Sequence, residues 1–504
     1  SKMNIPTPCV CILFLSPVAS LVASPTPTSP RRVAVVGAGI GGLALARALQ
    51  TLDTGVEEVA VFDRRSELKP GVGGGIQING GAAVLARLGL GEQMKASALP
   101  VRRILSRKSG GFELLDIDVE SLVSAEPALV APDGTPQAFS IMRDALQRIL
   151  ADSLPVGTVR LGQRLESLRE DDAGVELLFE GGAAERFDLV VGADGATLHS
   201  AAPLTAPHIA PWHSARLCAT TPQTATTPAT TPQPRCSHTA GLSSRVREHV
   251  AASHAAEGGG GATPPEYSGI RVQFGVVPAG GARPAGSEGE FHQWFGEGVY
   301  ALTGSYGTGA ADGATSDMVA VVFADRAAGS AAPPENSNWE ASDVREDCVG
   351  RLRRAGIPAE VVSVAEQCER CFELGVYEHD ATAPWVSRGG RAVLLGDAAH
   401  AMAPFLGQGA NQAIQDGYCL ADCLAAARAG GLAARVMGPL QSYALLRRAP
   451  VTALQLESRL LGAMETAGGG AGTLPQFVRD AFFLANGKLG VAAQVFVKGA
   501  RPWV

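Results

Sequence analysis

The sequence predicts an α/β protein. A wound, parallel-sheet domain is interleaved with a mainly antiparallel β-sheet and finished by C-terminal helices. Three observations carry this. A short β-branched run, Val33 to Val36, opens into a glycine-spaced turn and an apolar helix. A second strand–turn–helix unit begins at Ala392. Between them lie alternating, strand-like segments joined by short turns. The 504-residue length allows more than one domain. A formal charge of −7 leaves no basic footprint for nucleic acid. No apolar run in the body of the chain reaches the roughly 20 residues of a membrane-spanning helix, and membrane association has no other indication in the sequence.

The first element is "RRVAVVGAGIGGLALARALQ", Arg31 to Gln50. Gly37, Gly39 and Gly42 give G-x-G-x-x-G between strand and helix, with Ile40 and Gly41 inside the turn. The first glycine makes a tight turn, the second admits a pyrophosphate, and the third lets helix and strand pack closely. The helix start then offers unpaired N–H groups to an anion. A second strand, "EVAVFD", ends in Asp63, followed by Arg64. An acid 21 residues beyond Gly42 suits a ribose hydroxyl, as in FAD or NAD, over a 2′-phosphate.

The far unit is "GRAVLLGDAAHAMAPFLGQGANQAIQDGYCLADCLA", Gly390 to Ala425. Its strand delivers Gly396 and Asp397, then a loop through Pro404 to Gly407, Gly409, Ala410 and Asn411. A helix follows, with Ile414, Leu420 and Leu424 on one face. The strand-end acid suits a ribityl chain, and a glycine-lined helix start favours negative charge on a reduced flavin. His400, behind Asp397, reads as a packing residue.

These motifs, with the Gly192-Ala193-Asp194-Gly195 run, resemble the FAD-dependent group A monooxygenases, the para-hydroxybenzoate hydroxylase-like and zeaxanthin epoxidase-like enzymes. The resemblance covers residues 31 to 460. "GGGIQINGGAAVLARLG", 73 to 89, is similar to the segment zeaxanthin epoxidases carry after the second strand. "IMRDALQRIL" resembles the family helix whose arginine, here Arg143, reaches the FAD. Asp194, by the same resemblance, lies near the FAD pyrophosphate. The resemblance implies FAD as cofactor, NAD(P)H as transient reductant, and transfer of one oxygen of O2 through a flavin C4a-hydroperoxide to an apolar, aromatic or isoprenoid small molecule. Two other readings share the fold: an FAD-dependent reductase that does not use O2, and a degenerate FAD-binding protein.

One motif is interrupted. The family follows its strand-end "DG" with x-x-S-x-V-R, but Gly195 is followed by Ala-Thr-Leu. Skipping residues 196 to 241 gives "GADGLSSRVREHV" and restores Ser244, Val246 and Arg247 to the family places. The skipped text is Thr/Pro/Ala-rich and aperiodic, so it reads as an insertion, intron-like in character.

Between the nucleotide-binding pieces, "VRRILSRKSGGFELLDIDV" predicts a hairpin turning at Ser109 to Gly111, and Tyr267 to Pro278 alternates Ile270, Val272, Phe274 and Val276. Phe291, Trp294, Phe295 and Tyr300 are candidate pocket aromatics. The expected division is a leader over 1–30, FAD-binding pieces at 31–100, 136–195 and 381–430, substrate-domain pieces at 101–135 and 242–380, the insertion at 196–241, and a helical region broken at Pro450 over 431–504. Cys9 to Ala23 reads as a leader, pointing to the secretory pathway or through it to a plastid. "CERC", 368 to 371, has no second ligand pair to complete a zinc site, and Cys419 and Cys423 read as core. No metal is expected.

Overall fold

The computed structural model describes residues 30–69, 73–195, 244–255, 263–277, 287–310, 313–325, 342–380, 382–431, 436–468, 474–502 and 504. The expected leader and insertion lie outside the described residues.

A five-stranded parallel sheet carries the first domain. Its order is Ala392–Leu394, Leu189–Gly192, Arg32–Val36, Glu58–Asp63 and Val159–Leu161. The Val/Ala-rich runs are buried on both faces, which is why they read as continuous rather than alternating. The first strand of the chain sits at the centre, so the carboxyl ends of strands from three distant stretches open onto one crevice. The opening helix, Ile40–Thr51, packs on the Gly409–Arg428 helix. Gly417 permits this approach, since a Cβ there would lie 2.8 Å from the Leu45 amide nitrogen. A small antiparallel sheet, Leu165–Asp171, Gly174–Phe179 and Ala184–Phe187, stands beside the parallel one. Phe62 and Phe179 meet across the junction with ring centres 4.6 Å apart.

The second sheet runs in the order Arg370–Glu378, Glu266–Val277, Thr315–Ala324, Val299–Gly307, Glu290–Phe295, Arg103–Lys108 and Glu113–Asp118. The predicted hairpin is present, with Gly111 in the left-handed region at φ +85°. The sheet is antiparallel apart from one main junction, where Glu290–Phe295 runs parallel to Arg103–Lys108. That pairing joins strands far apart in the chain and needs no hairpin, so turn signals could not reveal it. Alternation along Thr315–Ala324 shows how the sheet is used. Val319, Val321 and Phe323 pack with Leu352 and Val361 of the helices behind. Met318, Ala320 and Val322 face a cavity between this sheet and the first domain.

Three helices close the molecule: Pro439–Glu465, Gln476–Lys488 and Val491–Ala500. The expected break at Pro450 is absent, because the first of these runs unbroken through the proline. The carbonyl that loses its donor belongs to Leu446, a residue on the exposed face, so the lost bond lies on the solvent side of the helix. Among the described residues no helix is long and apolar enough to cross a membrane.

Candidate active site

One cavity of about 1150 Å³ runs from the glycine turn of the first domain to the C-terminal helices. It exceeds the roughly 300–1,000 Å³ of an ordinary small-molecule pocket.

The glycine turn comes first. Gly37 has φ +113°, and a Cβ on it would sit 2.5 Å from the Ala193 carbonyl oxygen. Its N–H donates to the Phe62 carbonyl at 2.7 Å, tying the turn to the second strand. Gly42 would place a Cβ 2.1 Å from the Gly37 carbonyl oxygen, so its smallness serves helix–strand packing. It does not line the cavity, in keeping with the packing role its place in the motif implies. Gly39 is different. Its conformation, φ −78° and ψ 176°, suits any residue. A Cβ there would approach protein no closer than 3.8 Å, at the Ala193 carbonyl. The space it leaves open belongs to the cavity, as do the walls at Ile40 and Gly41.

Asp63, at the end of the second strand, accepts from the Ala38 N–H at 2.9 Å and from the main chain and guanidinium of Arg65. Burial would raise this carboxyl, but Arg65 and the Ala38 N–H outweigh it and hold it below the usual range. Arg64, beside it, also lines the cavity. Arg65 was missed in the sequence. The signal was its adjacency to the strand-end acid, but only the fold shows that it folds back onto it.

Arg143 opens its helix and reaches the cavity past Gly73, whose absent side chain leaves room for the arginine stem. Burial works against its charge and Asp397 favours it. Asp397 follows the Gly396 turn at φ +56°. Burial raises its carboxyl, while His400 and Arg143 oppose that rise.

Asp194 also faces the cavity. Burial pushes its carboxyl up to about 6 against the pull of the Ser244 hydroxyl and Arg64. Its Oδ1 has no hydrogen-bond partner among the described residues. The interrupted motif is closed here in space. Ser244 bonds to Asp194, and Val246 packs so tightly on the strand that a Cβ at Gly192 would lie 2.7 Å from its own. Arg247 then donates to the Ala398 carbonyl at 2.9 Å, stitching this helix to the far unit. The chain therefore departs after Gly195 and returns at Ser244 to a single point of the fold.

The loop through Pro404 and the start of the Gly409–Arg428 helix form the remaining wall. Gly407, Gly409 and Ala410 line the cavity. Among the described residues, a Cβ at Gly407 or Gly409 would meet no atom within 4 Å, and no side chain caps this 20-residue helix. Its first N–H groups remain free for an acceptor. The Asn411 side chain does not line the cavity. Its oxygen accepts from the Asn79 and Gly81 N–H groups at 2.9 and 3.0 Å, and its nitrogen donates to the Gln77 and Gly407 carbonyls. The short polar side chain is fully used in bolting the helix start to the Gly75–Ile78 strand.

Behind this wall lies a sealed network. Asp416 accepts from the Gly396 N–H at 2.9 Å, bonds His400 Nε2 at 2.6 Å and pairs with Arg447 Nε at 2.8 Å. All three side chains are at most 1% exposed. Burial would raise the Asp416 carboxyl, but His400 and Arg447 pull it down to about 2. His400 is thus a packing residue, its ring 5.2 Å from Trp385. The sequence held one clue to this network: Asp416 shares a helical face with Leu420 and Cys423, both buried. Nothing pointed to Arg447, which reads as an ordinary helix charge.

The two ends of the cavity differ in chemistry. Arg64, Arg65, Arg143, Arg164 and Arg245 line the end near the glycine turn. Val272, Phe274, Leu302, Ala320 and Phe482 line the other. Of the candidate aromatics only Tyr300 reaches it. Phe291, Trp294 and Phe295 are core residues, Phe295 stacking between Tyr300 and Phe483. An arginine-rich end with open glycines, an orphaned carboxylate oxygen and a free helix start, joined to an apolar end, fits a dinucleotide carrying a flat apolar ring system.

Comparison with known proteins agrees. The family described as FAD binding domain matches residues 31–249 and 332–455. A 3-amino-4-hydroxybenzoate 2-monooxygenase from Streptomyces platensis is 29% identical over 398 residues, 79% of this chain and 80% of that protein. A FAD-dependent urate hydroxylase from Klebsiella pneumoniae is 32% identical over 169 residues, 33% of this chain and 40% of that protein. Among solved structures, Klebsiella pneumoniae HpxO complexed with FAD and uric acid superposes with a TM-score of 0.65 at 19% identity, covering 93% of this chain and 96% of that one. A salicylate hydroxylase substrate complex gives 0.62 at 21%, covering 94% and 99%. At these identities the superpositions speak to fold.

Proposed function

The chain belongs to the FAD-dependent group A monooxygenases, and from that premise we propose that it hydroxylates or epoxidises an apolar small molecule with O2 and NAD(P)H. It is an FAD-binding oxidoreductase. One oxygen atom goes to the substrate and the other leaves as water, with two electrons from NAD(P)H and a proton from solvent. Bound FAD supplies the O2 activation and the oxygen transfer.

The protein's part is to bind, orient and exclude water. Gly37, Gly39 and the start of the Ile40–Thr51 helix would receive the pyrophosphate, with Arg64 and Arg143 balancing its charge. Asp63 would take the ribose and Asp397 the ribityl chain. The free N–H groups at Gly409 and Ala410 would stabilise negative charge on the ring system without reorganisation. The apolar far end keeps water from the reacting centre. No paired-acid or nucleophile constellation is needed, because the cofactor carries the chemistry.

The observation that carries this reading is the single cavity with open glycine positions at one end and an apolar chamber at the other. The test is oxygen uptake by FAD-loaded protein with NADH or NADPH over a panel of phenols and isoprenoids. Uptake that depends on substrate supports the reading. NAD(P)H oxidation with substrate reduction and no O2 consumption would favour a reductase. Purified protein without flavin absorption near about 450 nm would favour a degenerate binder.

A further inference from the structure

Glycine is a poor helix former, yet Gly462 sits buried inside the Pro439–Glu465 helix. A Cβ there would lie 2.3 Å from Cε2 and 2.6 Å from Cδ2 of Phe405. The missing side chain is a slot, and the phenylalanine ring occupies it.

The same face of the helix grips the loop that carries Phe405. Gln455 Nε2 donates to the Ala401 carbonyl at 3.1 Å, and the Ser458 hydroxyl donates to the Ala403 carbonyl at 2.7 Å. Both side chains are buried. Positions 455, 458 and 462 are spaced three and four apart and form one row along the helix. The main chain just before Phe405 is therefore pinned against the helix. A ring pushed out of the slot has to turn about its own side-chain bonds, away from the helix.

The space on the other side of the ring is the cavity. Phe405 lines it, as do Leu406 beside it and Leu461 beside Gly462, whereas Gly462 itself does not. Phe405 also precedes Gly407 and Gly409 by two and four residues. Its loop thus leads into the helix start assigned above to the ring system of the cofactor, while the helix behind it belongs to the apolar chamber. The ring stands where the two meet.

We propose, resting on the flavoenzyme reading above, that Phe405 determines substrate specificity by setting the width of the chamber beside the cofactor, and that Gly462 is the positioning residue that holds its ring back. Phe405 touches the substrate, and Gly462 acts only through Phe405. With glycine at 462 the ring lies in the helix slot and the chamber admits a fused ring system. A methyl group at 462 drives the ring into the space the substrate needs, and the substrate then meets an overpacked wall.

The test uses the full chain loaded with FAD and two probes, benzene and naphthalene. Binding is read from the perturbation of the flavin absorption band on titration. Flavin content and the denaturation midpoint are measured first. Gly462→Ala should keep both, because the ring turns into open space and alanine favours the helix. It should weaken naphthalene binding at least about 10-fold and benzene binding no more than about threefold. In a Phe405→Ala background the same substitution should change naphthalene binding by less than about twofold, since no ring is left to displace. Phe405→Trp, with a ring too large for the slot, should repeat the selective loss of naphthalene while the helix is untouched, and it decides the matter if Gly462→Ala does not retain FAD. The proposal is overturned by a parent holoprotein to which either probe fails to bind, or by a Gly462→Ala protein that binds both probes as the parent does or loses both alike. A loss that persists in the Phe405→Ala background, or unchanged naphthalene binding in Phe405→Trp, overturns it too. Each of these leaves the flavoenzyme reading standing. A parent chain that takes up no FAD overturns the flavoenzyme reading itself.

Discussion

The two ends of the cavity are built on opposite plans. The glycine-turn end is made of backbone: tight turns, helix starts and strand ends, with arginines supplying charge. The far end is made of side chains from a sheet and three late helices, mostly apolar, with the buried acid Glu465, whose oxygens have no hydrogen-bond partner among the described residues. A backbone site tolerates little substitution, because a Cβ in the wrong place collides with main chain that cannot move. A side-chain site is adjustable residue by residue. Cofactor chemistry is thereby held constant while substrate choice is free to change.

The largest break in that contrast is expected from the support behind the backbone end. Arg447→Leu should strip Asp416 of its buried partner and cost about 3–5 kcal/mol. Chemical denaturation of the flavin-free protein measures it. A loss below about 1 kcal/mol would mean the network does not hold the Gly396 turn.

Next comes Asp194. Its folded carboxyl stands at about 6 against an ordinary value of 3.8. The folded state therefore holds more protons than the unfolded one between those values, and stability falls as pH rises through that window. The full shift corresponds to at most about 3 kcal/mol, an upper limit for a group that faces a cavity. Denaturation of the flavin-free protein from pH 4 to 7 should show this slope, and Asp194→Asn should flatten it. An unchanged slope in the variant would place the titration elsewhere.

The smallest effect is expected from deleting 196 to 241. Because Gly195 and Ser244 already meet at one point, closing the gap should leave flavin content unchanged. It should gain no more than about 3 kcal/mol through shorter loop closure. Loss of FAD from the shortened chain would show that the segment belongs to the site.

The same contrast governs what the sequence disclosed. Gly37, Asp63, Asp194 and Asp397 were legible because backbone sites repeat at fixed spacings along one stretch of chain. Even the broken motif was legible, since its second half, Ser244 to Arg247, kept its own spacing. Asn411 sat in the right loop, but spacing does not say which way its side chain faces. Arg65, Arg447 and Glu465 were invisible for a different reason. Each gains its meaning from a partner or a chamber contributed by a remote segment, and a charged residue on a helix carries no mark of being buried. The parallel pairing of Glu290–Phe295 with Arg103–Lys108 was hidden in the same way.

The most direct test of the central claim is Gly39→Val. Its backbone conformation accepts any residue, and its Cβ site is empty of protein. The flavin-free variant should match the parent in stability to within about 0.5 kcal/mol. Its FAD affinity, by titration of the flavin-free protein, should fall at least about 100-fold, because the side chain would occupy the space kept for the pyrophosphate. Undiminished FAD binding by a stable Gly39→Val protein would contradict the account.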